Sequence, residues 1–422
     1  MAESEINLRA PLFYLAVYFV YDNAFDWAGG MSDAVLLLRQ LINCKSVTPE
    51  HGGALDLAEN FLRDAGFSAQ RLPAGGVDNL WAADGESPAL LLAGHVDVVP
   101  PGDLAQWESP PFEAEERGGF IYGRGAADMK SGVAALLCAA RELRGRGVAV
   151  LLTSDEEGAA IHGTRHVAEW RKQNGGAQIP FALLGEPTCE KEFGDTIKIG
   201  RRGSLTARIT VRGKQTHAAY PHKGDNPIHR LTAALPEILH RAAAAAKLGE
   251  NAAGAGEKTG GEADFPPLTA QIVMLKSGVA DNVIPPAAAA TVNFRYAPPD
   301  TPALLRPLVE EPLQNAASGQ WECEWIHGAA PFLTPRGGAL AGALQDAIFA
   351  VCGRRAAFST GGGTSDGRFL REICGEIAEF GVINETMHAP NERAECDSVR
   401  KLAEIYRRAG MQLLAEKVKL RA

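Results

Sequence analysis

Residues 89–97 read ALLLAGHVD. Six small or apolar residues run without a break, and a histidine and an aspartate one position apart follow at once. So short an apolar run is a buried strand. The same pattern recurs along the chain. VAVLLTS (148–154) ends in Asp155-Glu156-Glu157, FALLG (181–185) ends in Glu186, and EIAEFG (376–381) leads into the loop that carries His388. Helical periodicity fills the intervals: one helix around 32–44, one around 54–65 closed by Gly66, a long one beginning near Met129, one at 338–352 and a C-terminal one. Apolar runs alternating with helices predict an α/β fold, a mostly parallel sheet buried between helices on both faces.

Near Gly203 the style changes. SLTARITVRG (204–213) alternates polar and apolar residues as a half-exposed strand does. A helical stretch from 227 to 248, then TAQIVML (269–275) and ATVNFRY (290–296), complete a second pattern: helices flanking an antiparallel sheet. The Gly/Ala/Glu-rich segment 248–267 between them reads as a loop. The first style resumes after about residue 330. The expectation is a main domain of residues 31–202 and 328–422, interrupted by an inserted α+β unit at 203–327.

The N-terminus stands apart. PLFYLAVYFVY (11–21) has signal-peptide length but is too short to span a bilayer as a helix. Glu3 and Glu5, with only Arg9, are the wrong charges ahead of a signal core. Ser32 can cap a helix whose Val35, Leu38, Leu41 and Ile42 share one face, so the globular pattern starts there and residues 1–30 read as an extension.

Composition narrows the classes of function. The 422 residues allow two to three domains, and hydrophobic and charged fractions of 46% and 22% are ordinary for a globular protein. A net charge of −9 with no basic block argues against nucleic acid or an anionic membrane as the main partner. Seven scattered cysteines without a C-x-x-C argue against a disulfide scaffold or a cysteine-based zinc knuckle, and for reduced thiols in a cytoplasmic protein.

What remains is the chemistry at the strand ends, where open α/β sheets bind ligands. His95, Asp97, Asp128 in GRGAADMK, Glu156, Glu157, Glu186 and His388 converge there. Two histidines with several carboxylates make a nitrogen/oxygen site suited to zinc or a similar divalent ion. Cofactor-binding glycines are a poorer match, because GRGAADMK lacks G-x-G-x-x-G and GGGTSDG follows no clear Rossmann strand.

From about residue 32 to 418 the chain resembles the co-catalytic di-zinc aminoacylase/carboxypeptidase family. LLLAGHVDVVPPGD, W-x-S-P-P-F, IYGRGAADMKSG, TSDEEG and GEPT mark that family. RRGS, AYPH and GGGTSDGRF are similar to its branch of desuccinylases, which cleave N-succinyl-LL-2,6-diaminopimelate to succinate and LL-2,6-diaminopimelate in lysine and cell-wall precursor synthesis. The resemblance implies a zinc-exopeptidase-like catalytic domain with an inserted dimerisation domain, a homodimer, and two divalent ions per subunit, zinc first and cobalt second. It implies that Asp128 bridges the ions, that His95 and Glu186 complete one site, and that Glu157 and His388 complete the other. It makes the Asp97 carboxylate the orienter of His95, Glu156 the general base, and the Asp128–Met129 peptide cis. Adjacent strand residues point to opposite sides, which fits Glu157 on a metal and Glu156 on water.

A small-molecule substrate with three carboxylates calls for arginine, whose fork matches a carboxylate. Arg201, Arg202 and Arg295 are the expected anchors, with Gly363, Thr364 and Ser365 as donors. His217 and Asn282, in the inserted unit, are expected to reach the active site of the partner subunit. Other amidohydrolases of the family, such as an acetylornithine deacetylase or a dipeptidase, would share the metal residues and differ in the anchors. A non-catalytic binding protein would have no need of Glu156.

Overall fold

The structure is a computed structural model that describes residues 33–254 and 265–421. Ser32, the apolar run 11–21 and the middle of the expected 248–267 loop lie outside the described residues.

Eight strands form one sheet, in the order Ser68–Arg71, Asn79–Ala83, Val148–Thr153, Leu90–His95, Ile179–Leu184, Cys374–Glu379, Thr196–Lys198 and Ala357–Ser359. Leu90–His95 runs parallel to both of its neighbours, and Cys374–Glu379 runs parallel to Ile179–Leu184. Along Leu90–Ala93 successive side chains part company. Leu90 and Leu92 join one buried cluster, while Leu91 and Ala93 join another. That is the two-residue period of a strand covered on both faces. Helices Asp33–Asn43, Ser131–Glu142, Ala339–Cys352 and Cys396–Arg421 pack the first face, and Thr164–Gln173 packs the second. Each fully buried leucine of this kind contributes about 1.5–3 kcal/mol.

The outer strands depart from the parallel pattern, so the sheet is mixed. Ser68–Arg71 and Asn79–Ala83 form an antiparallel pair closed by the reciprocal backbone hydrogen bonds of Ala74 and Val77. A connection that tight can only bring a strand back antiparallel. Thr196–Lys198 also meets Cys374–Glu379 antiparallel.

Register places the site. His95 lies opposite Thr153, and Ala93 and Glu379 both lie opposite Leu184. The residues that follow these strands therefore leave the sheet at one edge. The helix expected near Met129 begins at Ser131, because Ala126–Lys130 forms an irregular turn whose Asp128 and Met129 have non-helical dihedrals. The Asp128–Met129 peptide in that turn is cis. Gly132, in the first turn of the helix, sits so close to the end of Ile179–Leu184 that a Cβ would lie 2.0 Å from the Gly185 carbonyl oxygen.

Residues Gly203–Ala329 contain a second sheet, antiparallel throughout, in the order Thr269–Ser277, Ala287–Tyr296, Gly203–Arg212, Trp321–Ala329. Its inner strands alternate buried and accessible positions, as their sequences predict. Leu205, Ile209, Val292 and Phe294 pack against Leu231 and Ile238 of Pro227–Gly254 and Val309 and Leu313 of Pro302–Ala317, in a buried cluster separate from those of the large sheet. Among the described residues no helix is long and apolar enough to cross a membrane.

Candidate active site

Asp128 stands between two imidazoles. Its Oδ1 lies 3.3 Å from His95 Nε2 and its Oδ2 lies 3.2 Å from His388 Nε2. A glutamate approaches the same nitrogen of each histidine: Glu186 Oε1 is 4.0 Å from His95 Nε2, and Glu157 Oε1 is 2.9 Å from His388 Nε2. Ligand atoms of His95, Asp128 and Glu157 all lie within 4.8 Å of one another. Each residue comes from a different strand end or turn: His95 ends its strand, Asp128 sits in the irregular turn, Glu157 and Glu186 follow their strands, and His388 occupies a loop with φ 60°. The five residues expected to hold ions are thus adjacent in space.

Two expectations about how the site is held need correction. Asp97 orients His95 through its backbone: His95 Nδ1 lies 2.8 Å from the Asp97 carbonyl oxygen and 3.6 Å from the carboxylate. The carboxylate instead accepts the backbone N–H groups of Glu156 and Glu157, at 3.3 and 3.1 Å. Those glutamates lie beyond the strand Val148–Thr153, in a turn. Strand alternation therefore does not separate their side chains. The turn that carries them is anchored on the Asp97 carboxylate.

The electrostatics are those of a site short of positive charge. Burial, reinforced by Asp128 and Glu156 and opposed by His95, pushes the Glu186 carboxyl well up. Glu156 is pushed up to about 8, first by burial, then by Asp366, Glu157 and Asp128 against the opposing charge of His95. Burial works against the charged form of His95, yet Asp128 and the surrounding carboxylates hold its pKa well above the ordinary value. His388 is pushed up to about 10 by Asp128 and Glu157. Asp128 is drawn down despite its burial, because both imidazoles face it. Its Oδ1 is buried with no hydrogen-bond partner. Buried carboxylates that outnumber the histidines are costly unless cations neutralise them. The donor set, nitrogen and oxygen without thiolate, fits divalent metal ions.

The expected substrate residues divide into two groups. Arg201 is buried, and its Nε and Nη2 donate to the fully buried Glu379 carboxylate while Nη1 donates to the Gly361 carbonyl at 3.0 Å. The Ser365 hydroxyl donates to the other oxygen of Glu379. Glu379 thus ties Arg201 to the loop holding Gly363, Thr364 and Ser365. Arg202 and Arg295 are only half-buried. Burial first, and Arg295 next, lowers the Arg202 pKa, and burial followed by Arg368 lowers that of Arg295. The Nε atoms of Arg202 and Arg368 are buried without hydrogen-bond partners. Three cations close enough to disfavour one another form a place for anionic groups.

His217 and Asn282 neighbour each other in the second sheet unit. Strand Thr216–His217 pairs with Val283–Ile284, and the Ala218 N–H donates to the Asn282 carbonyl at 2.8 Å. Both residues are exposed, and His217 Nδ1 accepts the Ala219 N–H at 3.0 Å. No described hydrogen bond joins the His217 ring to the group around Asp128.

Glu379, Glu392 and Arg368 escaped the sequence reading. Arg368 lies in the segment GGGTSDGRF, Glu379 in EIAEFG, and Glu392 four residues after His388. Proximity to a motif was therefore the only signal they gave.

A family model, Peptidase family M20/M25/M40, matches residues 91–412. A Bordetella pertussis protein named succinyl-diaminopimelate desuccinylase is 44% identical over 392 residues, covering 91% of this chain and 99% of that protein. Among solved structures, the M20 family metallo-carboxypeptidase Sso-CP2 from Sulfolobus solfataricus superposes with a TM-score of 0.73 at 18% identity, covering 91% of this chain and 99% of the other. The Bacillus subtilis YXEP protein, a dinuclear metal-binding peptidase of the M20 family, superposes with a TM-score of 0.64 at 17% identity, over 92% and 98% of the two chains. The family model spans every residue gathered around Asp128 at the strand ends of this mixed sheet, and the chain belongs to Peptidase family M20/M25/M40.

Proposed function

We propose that this chain is a desuccinylase: a metal-dependent hydrolase that splits N-succinyl-LL-2,6-diaminopimelate into succinate and LL-2,6-diaminopimelate. The observation that carries the chemistry is the Asp128 carboxylate, one oxygen towards each of two imidazoles, with Glu156 in the adjoining turn. The substrate comes from the relative named for this activity, which the chain matches over nearly its full length.

In this reading Asp128, His95 and Glu186 would hold one ion, and Asp128, Glu157 and His388 would hold the other. Zinc is the first choice for such donors and cobalt the second. When bound, the ions supply Lewis acidity and bring the pKa of a water molecule towards neutrality. Glu156 takes the proton of the attacking water and returns it to the departing amine nitrogen. The oxygen adds to the succinyl carbonyl carbon, the C–N bond breaks, and an acid and an amine leave. Asp97 holds His95 through its carbonyl and the Glu156–Glu157 turn through its carboxylate.

Arg202 and Arg295 take carboxylates of the substrate directly. Arg201, paired with Glu379, shapes the loop from which Gly363, Thr364 and Ser365 act. We assign catalysis to residues 31–202 and 328–422 and dimerisation to residues 203–327, whose edge strand Thr269–Ser277 exposes Val273 (61%) and Leu275 (57%). Across that dimer His217, with Asn282 beside it, donates to the oxyanion. No disulfide joins any of the seven cysteines, all of them described, as suits the reducing cytoplasm where we place the enzyme.

Zinc-loaded protein assayed with succinyl-diaminopimelate, acetylornithine and dipeptides tests the assignment. The succinylated substrate should give the highest kcat/KM. A higher value on acetylornithine or a dipeptide would move the chain to another activity of the family.

A further inference from the structure

Asp128 and His388 belong to segments far apart in sequence, and one fully buried side chain joins them. Glu392 Oε1 accepts the backbone N–H groups of Ala127 and Asp128, both at 2.9 Å. Its Oε2 accepts the Gly125 N–H at 2.8 Å and Arg124 Nη1 at 2.7 Å. Arg124, itself buried, also donates to the carbonyl oxygens of Ala389 at 3.3 Å and His388 at 3.4 Å, and its guanidinium lies over the Trp107 ring.

The turn 126–130 explains why such a carboxylate is needed. Because Asp128 and Met129 are non-helical, this stretch forms no regular helical ladder, and the N–H groups of Ala127 and Asp128 point into the protein interior. Left unmet, a buried backbone donor is costly. Glu392 meets three such donors at once, one of them the backbone nitrogen of Asp128. Through Arg124 it also fixes the carbonyl of His388, a residue held at φ 60°.

We infer that Glu392 is a positioning residue for the metal centre, setting the distance between the Asp128 carboxylate and the His388 imidazole so that both can meet one ion. This rests on the reading of Asp128 and His388 as ligands. Groups behind a ligand commonly control metal affinity by 10–100-fold.

The test is calorimetric titration of metal-free full-length protein with Zn2+, and with Co2+ while recording its visible absorption. Wild type, Asp128→Ala, Glu392→Gln and Arg124→Lys are compared. Glutamine presents one oxygen where the carboxylate presents two, so Glu392→Gln should bind the ions about 10–100-fold more weakly and shift the cobalt bands. Its kcat should fall while KM for substrate stays near wild type. Arg124→Lys keeps the charge but loses the fork that reaches His388, and should weaken binding by a smaller factor. If Glu392→Gln does not fold, Arg124→Lys alone decides. Wild-type affinity and cobalt bands in the folded variant overturn the inference, provided Asp128→Ala has lost the ions. Undiminished binding by Asp128→Ala would instead overturn the ligand reading itself.

Discussion

Glu156 lies next in sequence to a carboxylate that meets His388, yet no described group donates a hydrogen bond to its own side chain. That suits a residue that moves protons and holds nothing in place. Glu156→Gln should therefore keep both ions by metal analysis and lose turnover by about 10²–10⁴, the usual contribution of a general acid–base. A variant that arrives metal-free would make Glu156 a ligand. The histidines carry a second prediction. Asp128 and Glu157 push His388 up to about 10, so in the metal-free chain at pH 7 it holds a proton that any ion must displace. The stabilisation from that protonated histidine is complete below its ordinary pKa of about 6.5 and fades as pH rises through the raised value. Zinc binding should release protons at pH 7, seen as a heat that changes with the ionisation enthalpy of the buffer. A buffer-independent heat would contradict it. At this scale the sequence was legible where residue type is diagnostic, since histidines and acids following apolar strands are few. Glu379 and Glu392 were not legible, because a carboxylate that will be buried among backbone donors reads like any surface acid.

The apolar runs announce the central strands because burial on both faces leaves no room for polar residues. The outer strands were harder. Ser68–Arg71 alternates exposed and half-buried positions, and its antiparallel direction follows from a turn rather than from its composition. The 126–130 turn was hidden for a similar reason: its shape depends on Glu392, contributed from near the opposite end of the chain. The Arg201–Glu379 pair belongs at this scale too, because it fastens a strand end to a loop. Neither Arg202 nor Arg295 forms an ion pair among the described residues, which leaves both open for their proposed role as substrate anchors. Replacing Arg295 or Arg202 by methionine should cost about 2–5 kcal/mol in kcat/KM, the range for truncating one partner of a buried charge pair. The loss should shrink for a substrate lacking the matching carboxylate. Equal losses on both substrates would make the arginine structural.

At the scale of the whole molecule, the proposed function draws its ion-holding residues and its base from the end of one sheet and its oxyanion donor from another. His217 is exposed on the second sheet unit, outside the hydrogen-bond network around Asp128. The same unit leaves Val273, Met274, Leu275 and Val279 in solvent at and just beyond an edge strand, a costly exposure that a second copy pairing edge to edge would remove. The proposed homodimer, in which each subunit lends His217 to the other, would account for both observations. Losing one oxyanion donor costs about 10²–10³ in turnover, so His217→Ala should be nearly inactive alone, as should Glu156→Ala. Mixing the two inactive proteins under conditions of subunit exchange distinguishes the arrangements. With the histidine acting across the interface, a mixed dimer holds one site with both defects and one with neither, and a fraction of wild-type activity should return. With the histidine serving its own subunit, every site in every dimer carries one defect. No recovery, despite demonstrated exchange, would place His217 on its own subunit's site or outside the reaction.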